Sequence, residues 1–228
     1  MPGLDLPALR RELAAAGDAD RAAGQQRYMK SALPYYGLTA PELRLLLRAH
    51  LGAYAPGSRE EWEHDVRTLW DEVTHREEWY AAIAIARHRA ARSWQDPAAL
   101  DLYRHLIVTG AWWDVVDEIA SHLVGGVLAS HRVQVTPVLR RWAVDNDLWL
   151  RRTAVLSQLR HGEETDLGLL TFAIDQNLTD GSFWLRKAIG WALRQHARTA
   201  PGWVREFVSA REELLSPLSQ REALKHLR

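Results

Sequence analysis

An indole and a carboxylate lie one helical turn apart in the run Trp-Trp-Asp-Val-Val-Asp. Trp113 and Asp117 are four residues apart, which places them on one face of a helix. A second face of this kind carries, at spacing i, i+4 and i+7, Lys187, Trp191 and Arg194. An indole beside a charged group is a poor arrangement for a core but a good platform for a cationic or planar ligand. These two faces are therefore the candidate binding surfaces.

The chain that positions these faces is predicted to be all-α. Alanine, leucine, arginine and glutamate dominate, and all four favour helices. No stretch alternates with period two for long enough to form a strand. Helix-start signals recur at short intervals, as capping boxes that begin at Thr39, Ser58 and Ser219 and as further starts at Asp96 and Asp180.

An internal repeat indicates how these helices are arranged. The run Trp149-Leu-Arg-Arg-Thr-Ala is similar to Trp184-Leu-Arg-Lys-Ala-Ile, and similar steps backwards reach Trp113 and Trp79. Helix pairs that recur every 35 to 45 residues or so are typical of α-solenoids. We therefore predict one domain, residues 1–228, built as a superhelix of about six HEAT-like antiparallel helix pairs with a concave groove. Equivalent positions line up in such a stack, so Arg152 and Lys187 should both point into the groove or both out of it.

The composition excludes several classes of function. The 29 basic and 29 acidic residues cancel, so the surface is not positive throughout, although a local basic stripe is enough to contact phosphates. The absence of cysteine excludes disulfides, thiolate metal sites and cysteine nucleophiles. The ten histidines show no metal-ligand spacing, and we expect no metal site. The pair Gly125-Gly126 predicts a turn or a close packing contact.

We also expect a soluble, cytoplasmic protein. No stretch approaches the roughly 18 consecutive apolar residues that a membrane span needs. Asp5 stands where a signal peptide would carry lysine or arginine. A capped solenoid of this size is expected to be a monomer.

Four segments together resemble the AlkD family of bacterial DNA alkylation repair glycosylases. They are Tyr28-Met-Lys-Ser, Trp112-Trp-Asp-Val-Val-Asp, Trp149-Leu-Arg-Arg-Thr-Ala and Phe183-Trp-Leu-Arg-Lys-Ala-Ile-Gly-Trp. The resemblance runs in order from about Leu6 to the C-terminus. It implies a HEAT-like repeat fold, which agrees with the periodicity, and a monofunctional glycosylase that needs no cofactor.

The resemblance also implies roles for particular residues. Asp117 matches the catalytic aspartate, and the active-site set further includes Trp113, Trp191, Arg152 and Tyr28. The choice of Trp113 over Trp112 rests on its sharing a face with Asp117. The residues expected to bind DNA are Arg152, on a backbone phosphate, together with Lys187, Arg194 and Lys30. The implied partner is double-stranded DNA with alkylated purines, which would associate the protein with the bacterial nucleoid.

The implied chemistry suits these residue types. A purine alkylated at N3 or N7 is cationic and already a good leaving group. Breaking its bond to the sugar develops positive charge at C1′, as in glycoside hydrolysis. One carboxylate can stabilise that charge and orient or deprotonate the attacking water. The alternatives are a HEAT-repeat protein that binds DNA without catalysis and a protein-interaction scaffold.

Overall fold

The computed structural model describes residues 4–227, and all regular secondary structure in this range is helical. The prediction of an all-α protein is therefore confirmed. The first three residues and the last residue of the predicted 1–228 domain lie outside the described residues. The chain divides into two compact units between Gln95 and Asp96, and each is considered separately.

Among its described residues, 4–95, the first unit contains five α-helices followed by a 3₁₀ segment, Arg89–Trp94. The α-helices are α1 (Leu6–Ala15), α2 (Ala19–Met29), α3 (Ala40–Leu51), α4 (Arg59–Asp71) and α5 (Arg76–Ala86). Helix α3 packs against both α1 and α5. The buried carboxylate of Glu77 accepts hydrogen bonds from the backbone N–H groups of Tyr36, Gly37 and Leu38. This ties the connection after α2 to α5.

The second unit contains nine α-helices and one π-helical segment among its described residues. A 3₁₀ turn, Pro97–Ala99, leads into α6 (Leu100–Gly110). The next helix is continuous and has three parts: α7 (Trp113–Glu118), the π segment (Ile119–Val124) and α8 (Gly125–Ser130). A second 3₁₀ turn, Gly162–Glu164, follows α10. The remaining helices are α9 (Arg132–Trp142), α10 (Leu148–Leu156), α11 (Leu167–Asp175), α12 (Phe183–His196), α13 (Pro201–Ser209) and α14 (Pro217–Ala223).

Helices of the second unit pack against both their neighbour and the helix two positions further on. Helix α10 contacts α9 and α11 as well as α12, and α12 contacts α13 as well as α14. Helix α9 also packs against α11. This is the contact pattern of stacked helix pairs, so the internal repeat correctly predicted the packing within this unit.

Two glycines allow helices of this stack to approach closely. A Cβ atom on Gly125 would lie 2.4 Å from the carbonyl oxygen of Ser157, which directly follows α10. A Cβ atom on Gly190 of α12 would lie 2.5 Å from the Cβ of Glu222 on α14. Gly125 therefore marks a close packing contact inside a helix, the second of the two interpretations that its sequence allowed, and not a turn.

The predicted helix starts are correct except at one position. Thr39 forms a complete capping box with Glu42, and Ser58 caps α4. Ser219 does not begin a helix: Ser216 caps α14, with Pro217 in the first turn, and Ser219 lies inside the helix. The Ser219 hydroxyl instead donates to the carbonyl of Arg186 at 2.8 Å, which helps to join α14 to α12.

Candidate active site

Asp117 and Arg152 form a two-pronged ion pair between α7 and α10. The Nε and Nη2 atoms of Arg152 each donate to a different carboxylate oxygen of Asp117, both at 2.7 Å. Nη1 of Arg152 donates to the backbone carbonyl of Trp184, at the start of α12. The side chains are 4% exposed for Arg152 and 13% exposed for Asp117. One guanidinium thus links the three helices α7, α10 and α12 and fixes the orientation of the carboxylate.

Burial and pairing act in opposite directions on Asp117. Loss of solvent raises the pKa of this carboxyl, and the hydrogen bonds and charge of Arg152 lower it. The effect of burial is the larger one, so the pKa of Asp117 lies above that of an ordinary aspartate. A perturbed carboxylate in a cleft is a common property of functional sites.

Asp117 lies in the wall of a pocket of about 310 Å³. Both tryptophans expected from the sequence, Trp113 on α7 and Trp191 on α12, line the same pocket. The other lining residues are Asp114, Glu118, Ser121, His122, Leu159, Arg160 and Gln195. The structure thus brings together an acid and two indoles from two helices that are distant in the sequence.

The helix that carries Asp117 changes from α to π two residues after it, at Ile119. The N–H of Gly125 donates to the carbonyl of Ala120, five residues earlier, and the Ser121 hydroxyl donates to the carbonyl of Asp117 at 2.7 Å. A π turn contains more residues than an α turn, so positions four apart advance less around the axis. Side chains from Trp113 to His122 can therefore line one pocket. Short π segments inside α-helices are frequent at functional sites.

Three tryptophans at the starts of three helices pack together beside this pocket. The ring centroids of Trp112 lie 6.2 Å from Trp149 and 5.3 Å from Trp184, and those of Trp149 and Trp184 are 5.8 Å apart. Trp112 therefore occupies the position equivalent to Trp149 and Trp184. The internal repeat had predicted Trp113, one residue later. Trp113 is left to face the pocket with Asp117.

The basic residues expected on α12 are paired with an acid of α14. Nζ of Lys187 lies 3.1 Å from Glu222, and Arg194 bonds to the other carboxylate oxygen of Glu222. Burial raises the pKa of Glu222, but the neighbouring Lys187, Arg194 and Lys225 outweigh it and lower that pKa. Lys187 is 40% exposed and Arg194 24% exposed, so both remain within reach of solvent.

Two expected residues belong to the first unit. Tyr28 lies on α2 with its side chain 78% exposed. Lys30 follows that helix in the left-handed backbone conformation, with φ of 50°, and is also exposed. Both are available to a ligand in solution.

The sequence reasoning missed an acid and an imidazole in the pocket wall. Glu118 and His122 are four residues apart on the helix of Asp117, and Nδ1 of His122 lies 3.3 Å from the Glu118 carboxylate. The i, i+4 spacing that identified Trp113 and Asp117 applies equally to this pair. His122 was passed over because the histidines were considered only as metal ligands.

In residues 4–227, no group of three His, Cys, Asp or Glu side chains is arranged to hold a metal ion. No helix in the same range is long and apolar enough to cross a membrane.

The sequence and the fold match those of a family of DNA repair proteins. The family model described as "DNA alkylation repair enzyme" matches residues 9–227, and the chain belongs to this family. A solved structure described as "Predicted DNA alkylation repair enzyme from Enterococcus faecalis" superposes with a TM-score of 0.83. It is 31% identical, and the match covers 92% of this chain and 96% of that one. No curated protein sequence gives a significant match.

Proposed function

We propose that this protein is a DNA glycosylase that hydrolyses the N-glycosidic bond of N3- and N7-alkylated purines in duplex DNA and leaves an abasic site. The observation that carries the proposal is the carboxylate of Asp117, held by Arg152 in a pocket that Trp113 and Trp191 also line. This arrangement provides negative charge and electron-rich ring faces in one place. Both suit a cationic nucleotide.

Asp117 is proposed to stabilise the positive charge that develops at C1′ as the bond to the purine breaks. The carboxylate is already oriented by two hydrogen bonds from Arg152, so little reorganisation is needed in the transition state. The electron pair of the breaking bond moves onto the purine nitrogen and neutralises the alkylated base. Water then forms the new bond to C1′ and loses one proton, which passes to the carboxylate of Asp117 or to solvent.

The burial of Arg152 changes the role that we assign to it. All three of its nitrogens donate to protein acceptors, and only 4% of its side chain is exposed. We therefore propose that Arg152 positions Asp117 rather than binding a DNA phosphate directly. Contacts to the phosphates are assigned to the partly exposed Lys187 and Arg194 of the second unit and, in the first unit, to the exposed Lys30.

Simple hydrolysis is proposed over a Schiff-base mechanism, which would need an amine at the reacting carbon. No lysine is present among the described residues that line the pocket. The abasic product should therefore stay uncleaved until alkali is added.

The test is release of methylated purines from alkylated duplex DNA by the native protein and by Asp117→Asn. The native protein should release the base and the variant should not, with similar affinity for DNA. Asp175→Asn is a matched control, because Asp175 forms a comparable two-pronged pair with Arg211, at 2.6 and 2.9 Å, outside the pocket. DNA binding without release by the native protein would favour a non-catalytic DNA-binding protein, and absence of binding would favour a scaffold.

A further inference from the structure

We propose that the C-terminal end of the second unit carries a basic surface that binds the DNA backbone on one side of the lesion, outside the pocket of Asp117. This inference rests on the proposed glycosylase function and extends its DNA contacts to α13 and α14. The C-terminal basic surface is defined by five side chains that line two adjoining hollows: Arg194, Arg198, Arg205, Arg221 and Lys225.

Positive charge is in excess at this end of the chain. The whole chain has 29 basic and 29 acidic residues, but residues 183–227 contain eight lysines and arginines and only four acids. A local excess of positive charge is enough to attract phosphates even when the net charge of the protein is zero. The C-terminal end is therefore a candidate anion-binding region that the pocket of Asp117 does not include.

The two hollows concentrate this charge in one place. The first, of about 310 Å³, contains Arg194 and Arg198, and the second, of about 700 Å³, contains the other three members of the surface. Leu227 lines both hollows, so they adjoin. Among the described residues, no acid lines either of them. An anion that enters these hollows therefore meets cations and no opposing carboxylate.

Most cations of the surface have no acid partner. Arg198, Arg221 and Lys225 are exposed, and none of them forms an ion pair with an acid of residues 4–227. Arg205 is also exposed and donates to the backbone carbonyl of Leu227 at 3.0 Å. Clustered cations repel one another, and a phosphate bound between them would relieve that repulsion. The planar guanidinium also suits two phosphate oxygens at once.

Glu222 offsets part of the charge from the side of α12. Its carboxylate binds Lys187 and Arg194 there. Lys225 contributes to lowering the pKa of Glu222 but forms no ion pair with it. The charges of Arg198, Arg205 and Arg221 remain available to a ligand.

The position of the surface beside the pocket identifies duplex DNA as its ligand. Trp191 lines the pocket of Asp117, and Arg194, on the same face of α12 three residues later, lines the first hollow. At about 1.5 Å per residue, the two positions are about 4.5 Å apart along the helix. Helix α14 packs against α12, which places their axes about 8–10 Å apart. At about 3.4 Å per base pair, the surface would meet phosphates about two to five base pairs from the lesion.

The first test is a salt titration of binding to duplex DNA with N7-methylguanine at its centre. Arg198→Gln, Arg221→Gln and Lys225→Gln should each weaken binding and make the log–log salt slope shallower by about 0.9. The single-turnover rate of excision at saturating protein should stay unchanged, because these side chains lie outside the pocket. Arg141→Gln is the matched control, since Arg141 is an exposed arginine of α9 that lines neither hollow, and it should bind as the native protein does.

The second test moves the lesion towards one end of the duplex. One substrate keeps about ten base pairs before the lesion and about two after it, and the other has the reverse arrangement. Because the surface lies on one side of the pocket, only one of these substrates should lose affinity and salt slope with the native protein. On that substrate Arg221→Gln should bind as the native protein does, whereas on the other it should keep its defect.

The outcomes separate this inference from the proposed function. Release by the native protein, together with native salt slopes for the three variants, would overturn the basic surface alone. Equal effects of Arg141→Gln and Arg221→Gln would overturn it as well, because only net charge would then matter. Binding without release would overturn the proposed chemistry, while the salt slopes would still decide the surface. Absence of DNA binding by the native protein would overturn both.

Discussion

Arg152 and Lys187 occupy equivalent positions of two successive repeats, but their side chains pair in opposite directions along the chain. Arg152 on α10 binds Asp117 on the earlier α7, and Lys187 on α12 binds Glu222 on the later α14. The two equivalent positions thus hold cations with different kinds of partner. One cation is buried against the candidate catalytic acid, whereas the other stays partly exposed.

Arg152→Lys should reduce excision on the order of 10²-fold, because one ammonium cannot hold both oxygens of Asp117 and the carbonyl of Trp184 together. The dissociation constant for DNA and its dependence on salt should stay unchanged, since the side chain is buried. The measurement is a salt titration of DNA binding beside the excision rate. Lys187→Ala is the comparison, and its log–log salt slope should become shallower by about 0.9. A salt slope for Arg152→Lys that is shallower than the native slope would indicate that Arg152 contacts a DNA phosphate directly.

Glu222→Gln should tighten the binding of DNA at low salt. The substitution keeps the shape of the side chain but releases Lys187 and Arg194 from their shared acid. Because Glu222 no longer neutralises part of the charge of these two residues, the log–log salt slope should steepen by at most about 0.9, the value for one phosphate. Glu213→Gln, an exposed acid in the same unit, changes the net charge equally and serves as the control. Equal effects of the two variants would show that only net charge matters.

Trp112 and Trp113 should have separable roles. Trp113→Leu should lower the excision rate with little change in Tm, because its indole lines the pocket. Trp112→Leu should lower the free energy of unfolding by about 3 kcal/mol, because its ring packs with those of Trp149 and Trp184. Thermal denaturation and excision by both variants check this assignment. The reverse pattern would mean that the pocket residue is Trp112.

Gly125→Ala and Gly126→Ala should change stability in opposite directions. The new methyl group at Gly125 would lie 2.4 Å from a backbone oxygen, so we expect a loss of about 1–3 kcal/mol. Gly126 is exposed, has nothing within 4 Å of an added Cβ, and lies in the same helix. Alanine there should stabilise the protein by about 0.5–1 kcal/mol. Denaturant unfolding measures both, and similar changes would contradict the proposed packing contact.

The sequence was sufficient for the features that depend on local periodicity. The four-residue spacing placed Trp113 on the same helix face as Asp117, and the internal repeat predicted that helices stack in pairs. The resemblance added Trp191, which lines the same pocket. These predictions succeeded because helical geometry relates nearby positions directly to a shared face.

The features that were missed depend on contacts between distant parts of the chain. The pairing of Glu222 with α12 requires the close approach at Gly190, which no local pattern reveals. The start of α14 was misplaced because Ser216 and Ser219 both resemble caps, and the proline after Ser216 fits the first turn. The burial of Arg152 was missed because its acid partner lies 35 residues earlier in the chain.

The π segment joins two halves of one helix that have different tasks. The half before it carries Asp117, and the half after it begins with Gly125, which meets the backbone after α10. Because each residue of a π turn advances less around the axis than a residue of an α-helix, the six residues Ile119–Val124 turn through roughly the angle of five α-helical ones. The helix therefore carries one extra residue beside the pocket, while Gly125 keeps the angle at which it meets Ser157.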